Sequence, residues 1–165
     1  CSGAGGHTGQ ISPFAFVDEV RTFWDGEIIL SGAITTGRSI RAAEVLGADY
    51  VYMGTRFIPT EESMAVVPYK QMIVEAGADD IVCSDAITGV KANWLRQSLA
   101  QAGYDPQNMP QAGEIDLAKA ADDRKRWRDI WAAGQGVGAI NSIQSVADVV
   151  KKLHQDYQST KQNNG

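Results

Sequence analysis

Between Glu27 and Met53 the chain changes periodicity three times within about 30 residues, and this spacing constrains the fold more than any other feature. Glu27-Ile28-Ile29-Leu30 reads as a short buried strand ending in Ser31-Gly32-Ala33 and a polar turn through Thr35, Thr36 and Gly37. Ser39 to Leu46 then has helical spacing through Ile40, Ala43 and Leu46, with Gly47 at a C-cap, and Tyr50-Val51-Tyr52-Met53 is a second strand running into Gly54-Thr55. A strand, a crossover helix and a strand can only pair in parallel, with a right-handed crossover. The front of the chain is therefore expected to be α/β.

Upstream, Phe14 to Trp24 carries apolar residues at helical spacing and stops at Asp25-Gly26. Downstream the alternation breaks. Pro68 to Ala76 reads as helix, Ile81-Val82-Cys83 as a short apolar run, and Val90 to Leu99 as helix through Trp94 and Leu95. Gly103 to Gly113, with Pro106 and Pro110, reads as a loop. Asp116 to Trp131 is a charged helical pattern, with Trp127 and Trp131 read as packing residues and 122–126 as a solvated face. Ser142 to Tyr157 is amphipathic, with Ser142 as the expected N-cap and His154 on the surface. The polar stretch Ser159 to Gly165 is expected to be a disordered tail. The expected division is 1–65 for βα units, 66–140 for a mainly helical region, 141–158 for the amphipathic helix and 159–165 for the tail.

The formal charge of -5 argues against a nucleic-acid binder, so an anionic ligand must be gripped locally. Cys1 and Cys83 lack the close spacing of a metal or redox pair, and no metal site is expected. Without a spanning apolar stretch or signal-peptide layout, a cytoplasmic protein is the expectation. Small residues after both strands, Ser31-Gly32-Ala33 and Gly54-Thr55, can present backbone N–H groups and hydroxyls to one phosphate. If these are the last two strands of a TIM barrel, Gly3 to Gly9 is the loop before them, and His7 projects into the same mouth as a candidate general base or hydrogen-bond donor. The strand expected before that loop is not in the sequence, so the chain is expected to be the later part of a longer enzyme. A Rossmann reading of Gly3-Ala4-Gly5 or Gly134 to Gly138 fails because neither has the full strand-GxGxxG context.

The wording of these motifs adds what spacing cannot. GAGGHTG, ISPFAFVDEVR, LSGAITTG and LGADYVYMGTRFIPTEES, followed by YKQMIVEAGADDIVCSDAITGVKANWLRQSLAQAGYDP and DIWAAGQGVGAI, resemble the later part of flavin-dependent nitronate monooxygenases in order and residue choice. The resemblance covers nearly the whole chain before the polar tail. It implies the C-terminal part of an FMN-binding TIM (β/α)8 barrel with an appended mainly helical region, oxidising alkyl nitronates with dioxygen to a carbonyl compound and nitrite. It implies that His7 is catalytic, that Ser31, Gly32, Ala33, Gly54 and Thr55 hold the FMN phosphate, that Gly5 and Gly6 lie near the flavin, and that Gln135 lines the pocket.

Ala33 stands where the family commonly has a second glycine, which matters if its φ is positive. The rival readings are an FMN-dependent enoyl-acyl-carrier-protein reductase and an inactive C-terminal fragment or interaction module. The apolar stripe of the last helix fits packing within the chain, a homodimer, and association with a missing N-terminal part.

Overall fold

The computed structural model describes residues 1–111 and 129–162. The charged pattern at 116–128, Trp127 included, lies outside the described residues, as does 163–165. A two-residue strand β1 (Gly6–His7) and helix α1 (Pro13–Arg21) are followed by β2 (Ile29–Ser31), α2 (Gly37–Val45) and β3 (Tyr50–Tyr52). Then come α3 (Val67–Glu75), β4 (Ile81–Ser84), β5 (Ala92–Leu95), α4 (Arg96–Gln101) and α5 (Val146–Gln162).

β2 and β3 pair in parallel, with Ile29 opposite Tyr50 and Ser31 opposite Tyr52. This is the βαβ unit that the spacing required, with α/β character as expected. β2 begins at Ile29, two residues after the expected start at Glu27, with the Ile28 N–H taken by Asp49 Oδ2 at 2.8 Å. That bond and the Arg21 guanidinium, 2.7 Å from the same oxygen, hold the Asp49 carboxyl below the usual carboxylate range. α1 is thereby tied to the sheet. Val17, Leu30, Ile34, Ala43 and Ala48 form the core between α1, the sheet and α2. Thr36 caps α2 in a reciprocal box with Ser39, an arrangement that contributes about 1 kcal/mol. α5 packs on α2, its Asp156 accepting from the Arg38 N–H at 3.1 Å and its Tyr157 hydroxyl donating to Glu44 at 2.7 Å.

The second sheet, in the order β1-β5-β4, is antiparallel and departs from the sequence reading. Residues 92–95 form a strand and not a helix, so 66–140 is mixed rather than mainly helical among its described residues. Val90 and Trp94 are four apart, a spacing that puts them on one face of a helix and equally on one face of a strand. Burial decides between these two, since Ala92, Asn93, Trp94 and Leu95 are all buried between β1, β4 and flanking helices. Gly6–His7, expected in a loop, is the outer strand of that sheet.

At the C-terminus α5 starts at Val146, and Ser145, not Ser142, caps it by accepting from the Asp148 N–H at 3.1 Å. Ser159 to Gln162 continue this helix where a disordered tail was expected, since Ser159 and Thr160 satisfy their hydroxyls on the Asp156 carbonyl. His154 is exposed, and among the described residues no helix is long and apolar enough to cross a membrane.

Candidate active site

The segment leading into β1 and the loops after β2 and β3 converge on one open cavity of about 220 Å3. Ala4, Gly5 and Gly6 form one wall, Ser31, Gly32, Ala33, Ile34 and Thr35 a second, and Gly54 and Thr55 a third. Tyr52, Ile58, Tyr69 and Ala132 close it with mostly apolar surface. Seven of the residues singled out from the sequence thus share one space: Gly5, Gly6, Ser31, Gly32, Ala33, Gly54 and Thr55. Two do not line it. His7 is exposed, immediately beyond Gly6 on β1, and Gln135 is exposed beside Gly3.

The strands supply the placement because parallel pairing brings the carboxyl ends of β2 and β3 side by side. The loops are then bolted to one another by the segment 133–136. The Gly3 carbonyl accepts from the Ala33 N–H at 3.2 Å and from the Gln135 N–H at 2.9 Å. Thr35 Oγ1 donates to the Gly136 carbonyl at 3.0 Å, and the Gly134 N–H donates to Thr55 Oγ1 at 2.9 Å. Gln135 therefore contributes its backbone to the loop junction and not a side chain to the cavity wall. Thr55 is left with its hydroxyl proton to donate elsewhere, since one oxygen lone pair is already occupied.

Ala33 sits at φ 55, the one non-glycine residue with positive φ among those described. Its N–H is spent on Gly3, so Ala33 shapes the turn and does not offer a donor to an anion. Left-handed backbone costs an L-residue about 1–2 kcal/mol, part of which glycine returns through its freer unfolded chain. Ala33→Gly is expected to raise stability by about 0.5–1 kcal/mol, read as a Tm higher by about 1–4 °C. A lower Tm would mean that the methyl's packing against Gly3 outweighs the strain.

Two buried cations hold the segment that follows β3, neither with a carboxylate at ion-pair distance among the described residues. Arg56, 4% exposed, donates to Gln144 Oε1 at 3.0 Å, and burial holds its guanidinium below the ordinary arginine value. Lys70 Nζ donates to the carbonyls of Thr60 at 2.5 Å and Ser63 at 2.8 Å, which fixes the loop that follows.

Tyr69 was invisible as a site residue because a single aromatic on a helix carries no signal beyond packing. Its hydroxyl donates to the Ala132 carbonyl at 2.5 Å, and its ring stacks on Trp131 with centroids 5.1 Å apart. Burial pushes its phenol up to about 12. The folded state thus holds this proton more tightly than the unfolded chain, so the contribution is complete below about pH 10 and lost as pH rises toward 12. An alkaline titration should show Tyr69 missing from the tyrosinate absorbance until the chain loses stability. Tyr69→Phe should remove that component. Early ionisation in the folded chain would contradict its burial.

The family model described as nitronate monooxygenase matches residues 2–156. A nitronate monooxygenase of Paraburkholderia phytofirmans is 27% identical over 179 residues, covering 96% of this chain and 49% of that protein. The structure of FabK from Thermotoga maritima superposes with a TM-score of 0.77 at 27% identity, covering 97% of this chain and 53% of that one. A nitroalkane oxidase from Streptomyces ansochromogenes shares the fold, with a TM-score of 0.75 at 23% identity over 100% of this chain and 52% of that one. The chain spans about half the length of the curated relatives it matches. With the match running through every loop of the cavity, the chain belongs to the nitronate monooxygenase family.

Proposed function

We propose that this chain carries the phosphate-binding part of an FMN site and the histidine of an enzyme that oxidises alkyl nitronates with dioxygen to a carbonyl compound and nitrite. The observation that carries the reading is the meeting of Ala4 to Gly6, Ser31 to Thr35 and Gly54-Thr55 on one cavity, in a chain matched by the family over 2–156. The parallel β2–β3 pair, with both glycine turns at its carboxyl end, supports assigning these strands as the seventh and eighth of a TIM barrel.

The cavity suits the phosphate end of a flavin. A Cβ built on Gly6 or Gly54 meets no protein atom within 4 Å, so both glycines leave room that a ligand can occupy. Ser31 and Thr55 bring hydroxyls to that space, and α2, with its positive helix end, starts just beyond Thr35. Ala33 is withdrawn from the donor set, leaving Ser31, Gly32, Gly54 and Thr55 to hold the phosphate.

FMN, when bound, supplies the electron transfer between nitronate and dioxygen. The protein's part is to orient and to exclude water. Ile58, Tyr69 and Ala132 present mostly apolar surface, with the Tyr69 hydroxyl proton already donated to the Ala132 carbonyl. His7, held at the rim by β1, is the group that hydrogen-bonds the nitronate oxygens or removes an α-proton from a neutral nitroalkane.

The purified chain mixed with FMN is expected to show perturbed flavin bands and, with an alkyl nitronate under air, to release nitrite. No flavin binding and no nitrite would sink the reading for this chain. The likeness to FabK favours a second reading, an FMN-dependent enoyl-acyl-carrier-protein reductase. Rapid bleaching of the flavin by NADH without oxygen would select it.

A further inference from the structure

Beyond the cavity loops, the glycine-histidine segment is gripped from behind by one side chain that no part of the proposed chemistry uses. Asn93 is 1% exposed in the middle of β5, the central strand of the second sheet. Its Nδ2 donates to the Ala4 carbonyl at 2.7 Å. Its backbone is the register partner of Gly6, while the preceding Ala92 is the partner of His7 and the Thr8 N–H donates to the Lys91 carbonyl at 3.0 Å.

From this arrangement we infer that Asn93 is a positioning residue for His7. β1 has only two residues, too few to set its own register, and its Gly6, at φ 69, is free to swing. A slip of one residue turns a strand side chain to the opposite face of the sheet. The bond from Asn93 to Ala4 anchors the chain two residues before that glycine and so fixes which face His7 occupies. Asn93 makes no contribution to the cavity wall, which separates its effect from that of the phosphate loops.

The inference rests on the proposed role of His7 for its kinetic consequence but not for its geometric one, and the test keeps the two apart. The chain has only two histidines, so 13C-histidine labelling gives two imidazole signals, assigned with His7→Ala, and exposed His154 on α5 serves as the internal reference. In Asn93→Ala the His7 signal is expected to shift and broaden while His154 stays in place. With FMN bound, nitrite release should fall about tenfold in kcat, whereas FMN affinity should stay within about threefold.

An unmoved His7 signal overturns the inference, as does a loss of FMN affinity in step with kcat, which would mark a general packing defect. If the unsubstituted chain neither binds FMN nor releases nitrite, the functional reading fails while the imidazole spectrum still decides the role of Asn93. Should Asn93→Ala unfold, Asn93→Leu refills the buried volume without the donor and must move His7 in the same way. Unfolding of both overturns the inference, because Asn93 would then hold the core and not the loop.

Discussion

His7→Ala is expected to lower nitrite release by about 10²–10⁴-fold in kcat while FMN affinity stays within about threefold. The separation follows from where the residue stands. Gly6 is part of the cavity wall and His7 is one residue outside it, so the imidazole can act at the rim without touching the phosphate loops on the far walls. In the proposed role the imidazole hydrogen-bonds or deprotonates the reacting molecule, so its removal is expected to reach the chemical step. Steady-state nitrite assays with flavin-fluorescence titrations check both halves. A fall of less than tenfold in kcat would remove His7 from the chemistry, and a parallel fall in FMN affinity would make it a structural residue of the loop.

The second large effect separates two glycines that look alike in sequence. A Cβ on Gly134 would lie 2.7 Å from the Gly3 carbonyl oxygen and 3.2 Å from the Gly5 nitrogen, with Thr55 Oγ1 at 3.4 Å. Both segments there are backbone already tied to other loops, so neither can yield cheaply. Gly5 meets the same obstacle from the other side, its Cβ falling 2.8 Å from the Gly134 nitrogen. Gly134→Ala is therefore expected to cost about 1–3 kcal/mol, seen as a Tm lower by about 2–12 °C, and to weaken FMN at least about tenfold by displacing Thr55.

Gly54→Ala should behave oppositely. Gly54 has φ -101, which alanine adopts freely, and its Cβ would enter open cavity space. Its Tm should change little, while FMN weakens by about tenfold because the methyl group takes ligand volume. Thermal unfolding and flavin titration on the two variants decide the matter. Equal stability loss in both would place Gly54 in the packing and remove it from the anion site.

The βαβ unit was legible because its signal is local: Ile40, Ala43 and Leu46 repeat at helical spacing between two apolar runs that glycine turns close. The turns themselves were legible as neighbours on one cavity because parallel pairing sets the carboxyl ends of both strands side by side. The β4–β5 hairpin was not, since Val90 and Trp94 satisfy both periods and only the neighbours on either side of β5 choose between them. Gln135 was misplaced because a glycine motif shows that backbone comes close to something without showing what. Asn93 was missed altogether, as a polar residue in an apolar run gives no hint that its partner lies 89 positions away.

The sequence by itself determined the α/β start of the chain, the two glycine turns that meet on one cavity, and the family, because each is written in residues close together along the chain. Only the tertiary structure decided that Ala33 spends its N–H within the protein, that 133–136 bolts the three loops together, and that Asn93 holds the histidine strand. Those contacts join residues 30 to 132 positions apart, and a hydrogen bond over such a distance leaves no periodicity for a sequence to display.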